Sequence, residues 1–135
     1  MSYIRPREIS TTVSSTAQVD GITSLISSGQ FRFDPGEYGI NQTFYIEIGI
    51  STSDAAFTTT AYMYNCTDSE TVTGTSLSTT NTSPTLYRSG AITVGAAVGN
   101  IKNSAKVYEI RLSTDAAAAD KFGYLHCSSI IAIPS

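Results

Sequence analysis

Three pieces of one stretch decide the fold of this 135-residue chain: Ala61-Tyr-Met-Tyr-Asn-Cys-Thr-Asp-Ser-Glu-Thr-Val-Thr-Gly74, Tyr87-Arg-Ser-Gly-Ala-Ile-Thr-Val94 and Lys106-Val-Tyr-Glu-Ile-Arg-Leu-Ser113. Each apolar, β-branched or aromatic run ends in a polar or glycine turn. That is strand, turn, strand, turn, strand. Outside this stretch, Phe44, Ile46, Ile48 and Ile50 alternate with Tyr45, Glu47 and Gly49, so one face of a strand is apolar. Tyr108, Ile110 and Leu112 do the same against Val107, Glu109 and Arg111. Phe57 to Cys66 carries bulk on both faces. Phe57, Thr59, Ala61 and Met63 share one face, and Thr58, Thr60, Tyr62, Tyr64 and Cys66 the other, so its phase stays open.

Shorter strands are expected at Gln30–Phe33, Thr71–Thr73, Thr85–Arg88 and Ala91–Val94, the last two separated by a bulge or bend at Ser89-Gly90. Val19 to Ile26 reads as a strand or a turn-rich segment. Asp34-Pro35-Gly36 is a turn. Asp115 to Asp120 is too short for an independent helix and reads as a loop. Lys121 to Ile133 is the last strand, long enough to need a bulge near Ser128-Ser129. Strands spaced roughly 8–12 residues apart, with no convincing helix, predict an all-β fold. The expected architecture is an antiparallel, jelly-roll-like β-sandwich of about eight strands. Residues 1–15 form an extended N-terminal arm that continues as an edge strand, and residues 16–135 form the sandwich.

Composition limits the function. Charged residues make up 14% of the chain, and its polarity comes instead from 38 serines and threonines. Threonine suits a pleated surface and serine suits turns. A hydroxyl-rich surface is soluble without a strong field, which suits packing into an assembly. The net charge is −3. Residues 34 to 87 contain Asp34, Glu37, Glu47, Asp54, Asp68 and Glu70 and no cation, whereas both flanks are net basic. This unevenness predicts charge polarity between faces. No basic stripe is available to neutralise phosphates, so nucleic acid is not an expected partner. Nor is a membrane, since no run of 18 apolar residues occurs. The N-terminus lacks a signal core, so the expectation is synthesis in a reducing cytoplasm with Cys66 and Cys127 as thiols.

Catalytic readings are poor. His126 is the one histidine. It shares a strand face with Tyr124, and Cys127, next in sequence, is expected to point the other way. Two cysteines and one histidine at wide spacing match no zinc pattern. Glu47 and Glu109 are carboxylates on exposed strand faces and do not read as a glycosidase pair. The chain therefore reads as a non-enzyme without cofactor or metal. Binding candidates are Tyr62 and Tyr64, because tyrosine is enriched at interfaces. The arm residues Tyr3, Ile4, Arg5 and Arg7 are a second set, able to order on a neighbouring subunit by strand addition.

The segment from Ala61 onward resembles small β-sandwich proteins of tailed-phage particles, namely capsid decoration (cement) and fibre-associated jelly-roll proteins. The residues carrying the resemblance are Ala61 to Asp68, Val72 to Thr80, Arg88 to Val94, Tyr108 to Leu112 and Ser129 to Ile133, a little over half the chain. The resemblance implies a virion structural protein on the capsid surface. Its partners would be the major capsid protein or other virion proteins, and it would act as a dimer or trimer. The alternative it implies is a glycan- or receptor-binding module of a fibre or tail.

Overall fold

A computed structural model describes residues 7–20, 26–39, 41–115 and 121–134, and the side chains of 30–39, 41–115 and 121–134. Among the described residues nine strands follow in order: β1 (Arg7–Asp20), β2 (Ile26–Phe33), β3 (Gln42–Thr52), β4 (Thr59–Asn65), β5 (Glu70–Thr71), β6 (Leu77–Thr79), β7 (Thr85–Arg88), β8 (Lys106–Thr114) and β9 (Phe122–Pro134). A 3₁₀ turn, Pro35–Tyr38, is capped by Asp34, whose Oδ1 accepts the Gly36 N–H at 3.0 Å.

The strands form two sheets. Sheet A has the order β1-β9-β3-β7, and sheet B the order β2-β8-β4-β5, with β6 also on β4. The pairs are nested: β1 with β9, β2 with β8, β3 with β7, and β4 with β5 and β6, all antiparallel. Partners in each pair stand about equally far in sequence from the turn after Asn65. The chain is thus one long hairpin rolled into two sheets, which is the jelly roll that the sequence predicts. At the apex, Asn65 Oδ1 accepts the Asp68 N–H and its Nδ2 donates to Asp68 Oδ2, while Ser69 takes a left-handed φ of 56°.

The core lies between the sheets. Sheet A contributes Phe44, Ile46, Ile48 and Ile50 from β3 and Leu125, Ile130 and Ala132 from β9; sheet B contributes Phe33, Ala61, Met63, Tyr108, Ile110 and Leu112. Burying each isoleucine is worth about 1.5–3 kcal/mol before chain entropy is set against it. The alternation expected for β3 and β8 is therefore as read. In β4 the structure resolves the open phase: Thr59, Ala61, Met63 and Asn65 face inward. The cause is space. Gly123 of β9 approaches so closely that a Cβ there would stand 2.6 Å from Thr59 Oγ1. Thr59 fits against that glycine, and with Thr59 inward the alternation turns the tyrosines outward.

Four expectations change. Residues 7–15 belong to β1, which runs unbroken to Asp20 at the edge of sheet A, so the edge strand begins inside the drawn arm; residues 1–6 lie outside the described residues. The segment Val19–Ile26 divides between the end of β1 and the start of β2, with 21–25 outside the described residues. Ala91–Val94 is not a strand and makes only the isolated bridges Phe44↔Ile92 and Val94↔Ile101. The bend before it has a clear origin. Ser89 Oγ accepts the Ile46 N–H at 2.9 Å in place of a backbone carbonyl, and Ser89 N donates to Ile46 O, so the chain bulges but stays on β3. The loop expected at 115–120 lies outside the described residues beyond Asp115.

The fourth change concerns β9. Its register against β3 shifts between Gly49 and Ile50, so the bulge falls at His126-Cys127 rather than at Ser128-Ser129. The shift places both side chains on the outer face of sheet A. A Cβ on Gly49 would meet Cys127 Sγ at 2.8 Å and His126 Cβ at 3.8 Å. His126 and Cys127 therefore do not point to opposite faces, because two adjacent residues oppose one at a bulge.

Candidate functional site

The two outer faces differ. On sheet B, β4 presents Thr60, Tyr62 and Tyr64, and β8 presents Glu109, Arg111 and Ser113. The register sets Thr60 against Ser113, Tyr62 against Arg111 and Tyr64 against Glu109. The Arg111 guanidinium carbon stands 3.4 Å from the centroid of the Tyr64 ring. Its nitrogens reach Glu109 Oε1 at 3.1 Å, and Tyr62 bonds to it as well. One cation thus covers one tyrosine face and ties a second tyrosine to a carboxylate. Glu109 is only 7% exposed, although it belongs to an outer face. Arg111 and the neighbouring strands enclose it.

Cys66 lies at the end of the same row. Burial, and then the hydrogen bond and charge of Glu109, raise its pKa above the ordinary thiol value against a smaller opposing effect of Arg111. The thiol is therefore kept protonated and is a poor nucleophile. Beyond Thr60 the small residues Thr58, Ser113 and Thr114 leave a hollow closed by Asp115.

The outer face of sheet A, over β3, β7 and β9, is more apolar. Tyr45 pairs with Ile131, Thr43 with Ile133, and Ser51 with Tyr124. Phe122, Tyr124 and His126 run along β9 with ring centroids 6.4 and 6.3 Å apart. Leu86, opposite Gly49, is 58% exposed. Arg88 binds Glu47 at 2.8 Å and lies 5.8 Å from the centroid of the Tyr45 ring.

The expected candidates separate as follows. Tyr62 and Tyr64 come together, half-buried, in the Arg111 network of sheet B. Arg7 opens β1 opposite Ala132, on the far sheet. Tyr3, Ile4 and Arg5 lie outside the described residues. Glu47 and Glu109 stand on opposite outer faces, so no single bond lies between them. His126 Nε2 lies 2.7 Å from Ser51 Oγ, and Ser51 is 2% exposed, so this hydroxyl is closed to a substrate. Cys66 and Cys127 are free thiols on different sheets. Among the described residues, no three His, Cys, Asp or Glu side chains gather to hold a metal ion. Asn65, the first residue of an Asn-X-Thr triplet, is fully buried. The Arg111–Tyr64 stack was missed by sequence reasoning. Its only signal was the period-2 placement of Arg111 and Glu109, which becomes informative once β4 and β8 are known to pair.

Among the described residues, five of the six acids of the middle segment meet a cation from outside it. Glu37 pairs with Arg32, Glu47 with Arg88, Glu70 with Lys102, Asp68 with Lys106 and Asp54 with Lys121. The nested hairpin folds the basic flanks back onto the acidic middle.

No family model matches the sequence, and no curated protein matches it at a significant level. Among solved structures, the chain is similar to VP2 of infectious bursal disease virus. In the subviral particle the TM-score is 0.58 at 16% identity, covering 96% of this chain and 33% of that one. In virus-derived T=1 particles the TM-score is 0.59 at 16% identity, covering 96% and 32%. The chain thus spans about a third of the length of these VP2 chains. It is also similar to the CBM36-1 domain of a multidomain xylanase from the hindgut metagenome of Trinervitermes trinervoides, with a TM-score of 0.50 at 10% identity over 94% of this chain and 89% of that one. At these identities the likeness establishes the fold: a jelly-roll β-sandwich shared with viral capsid proteins and with carbohydrate-binding modules.

Proposed function

We propose that the chain is a non-enzymatic virion structural protein, a capsid decoration protein that binds the assembled shell and clamps neighbouring subunits. The observation that carries this reading is the outer face of sheet A. Leu86, Tyr45, Phe122, Tyr124 and Ile133 form an apolar and aromatic surface on β3, β7 and β9, where the described charges Arg88 and Glu47 pair with each other. A surface of aromatic residues gains by being covered, and hydrogen-bonded strands lose little entropy when covered. The tailed-phage setting comes from the sequence resemblance, and the capsid-like jelly roll supports it.

Tyr3, Ile4, Arg5 and Arg7 lead into β1, the edge strand of this same sheet, and are proposed to add contacts to the shell. Tyr62 and Tyr64 are held in the Arg111 network on the opposite face, so the tyrosine pair is a weaker candidate for either a partner or a sugar platform. The protein acts as a symmetric dimer or trimer, as closed symmetry would repeat the contact around a shell axis. Binding only the assembled state stabilises that state by mass action.

The test is copy number on purified particles. Leu86→Asp places a charge in the proposed contact at an exposed position where the fold tolerates it. Deletion of residues 1–6 stops short of β1. Both variants are expected to keep the wild-type melting temperature and to lose occupancy on particles. Full occupancy for Leu86→Asp refutes sheet A as the contact face, and full occupancy for the deletion removes the arm from it.

A further inference from the structure

The hollow at the end of the sheet B face has a chemistry that the shell-binding role does not use. It measures about 450 Å³ and is lined by Thr58, Thr60, Ser113, Thr114 and Asp115. It is a shallow depression, open to solvent. The hollow lies where Thr58 and Thr60, at the start of β4, stand against Ser113, Thr114 and Asp115 at the end of β8.

Its frame is fixed. Thr58 N donates to Asp115 Oδ1 at 2.7 Å, and Asp115 N donates back to Thr58 O at 3.1 Å. Thr60 Oγ1 bonds Ser78 Oγ at 2.8 Å. Beneath the floor, Thr59 is fully buried against Gly123. These contacts leave Thr58 Oγ1, Ser113 Oγ and the second carboxylate oxygen of Asp115 without a hydrogen-bond partner among the described residues. Three unengaged polar atoms on a pre-set frame bind a ligand without first being reorganised.

We propose that this hollow is a binding site for a neutral saccharide. Hydroxyls both donate and accept, and a carboxylate accepts, which together match a polyol whose every group can do both. An anionic ligand such as a phosphate would meet the Asp115 charge with no cation lining the hollow to offset it. A divalent cation would find one carboxylate, too few for a hard-ion site. The site is on the face opposite the proposed shell contact, so the two roles are separable and a bound sugar would point away from the shell.

The experiment is amide NMR of the full chain titrated with lactose, maltotriose and xylotriose, with 3′-sialyllactose and inorganic phosphate as charged probes, and a glycan array to widen the neutral set. Shifts confined to residues 58–60 and 113–115 with a neutral sugar are expected. Ser113→Ala and Asp115→Asn should each weaken binding about five- to tenfold, the worth of one hydrogen bond. Leu86→Asp, on the other face, should leave it unchanged. The proposal is overturned if no neutral glycan binds, if only the charged probes bind, or if affinity survives the Ser113→Ala, Asp115→Asn double substitution.

Discussion

Replacing Gly49 by alanine tests the bulge that sets the outer face of β9. A methyl group there would stand 2.8 Å from Cys127 Sγ, with Cys127 N and His126 Cβ at 3.8 Å. Comfortable non-bonded contacts lie near 3.5–4.0 Å, so the sulfur must rotate or β9 must shift. Overpacking of this kind costs about 1–3 kcal/mol. A single sulfur on a rotatable bond belongs at the low end, about 1–2 kcal/mol. Against this, alanine is favoured over glycine in a strand by roughly 0.5–1 kcal/mol. The net loss is then about 0.5–1 kcal/mol, or a fall in Tm of roughly 2–5 °C for a domain of this size.

In a Cys127→Ala background the clashing sulfur is gone and the closest remaining contacts are the ordinary ones at 3.8 Å. The same Gly49→Ala change should now stabilise the protein by about 0.5–1 kcal/mol. Thermal and urea unfolding of the four proteins gives the coupling directly. If Gly49→Ala is equally harmful in both backgrounds, Cys127 does not lie over Gly49 and the register of β9 is not the one described.

Other predictions follow from single contacts. Gly123→Ala should cost about 2–3 kcal/mol, because the new methyl would meet Thr59 Oγ1 at 2.6 Å and Cγ2 at 2.9 Å and a β-branched side chain cannot turn both away; wild-type stability would mean that the sheets do not approach there. Ser89→Ala should cost about 1–3 kcal/mol by orphaning the Ile46 N–H, and no change in urea midpoint would refute the side-chain bridge. Asp54 has a lowered pKa, through the Ala56 N–H first and Lys121 second. A depressed carboxylate adds stability that is complete above its unfolded pKa of about 3.9 and is lost as pH falls through the lower folded value. Asp54→Asn should therefore flatten the stability profile below about pH 4 and leave its shape at neutral pH unchanged; an unaltered acid limb would contradict this.

The parts of the fold legible in the sequence are those fixed by one strand's own alternation. Phe44 to Ile50 and Tyr108 to Leu112 each declare an inner face without reference to a neighbour. The phase of β4 was not legible, because Tyr62 and Tyr64 balance Ala61 and Met63, and the deciding contact comes from Gly123, more than fifty residues away. The need for a bulge in β9 followed from its length. Its position did not, because the room for Cys127 Sγ is made by a missing Cβ on β3. The acidic middle of the chain was visible but misleading. Nested pairing puts Arg88 on Glu47 and Lys121 on Asp54, so charges far apart along the sequence meet in space. The tyrosines were visible as interface material, yet Arg111 over Tyr64 exists only in the β4–β8 register. The hollow beside them needed the same register, since Thr58 and Thr60 face Ser113 and Asp115 only across that pair.

The central claim is that this jelly roll binds an assembled shell rather than a free subunit. The direct measurement is sedimentation of the purified chain with assembled capsid shells and, separately, with unassembled capsid protein. Saturable pelleting with shells, at a fixed ratio to capsid subunits and without binding to free subunits, is the predicted result. Failure to pellet with shells, or equal binding to free subunits, would contradict it.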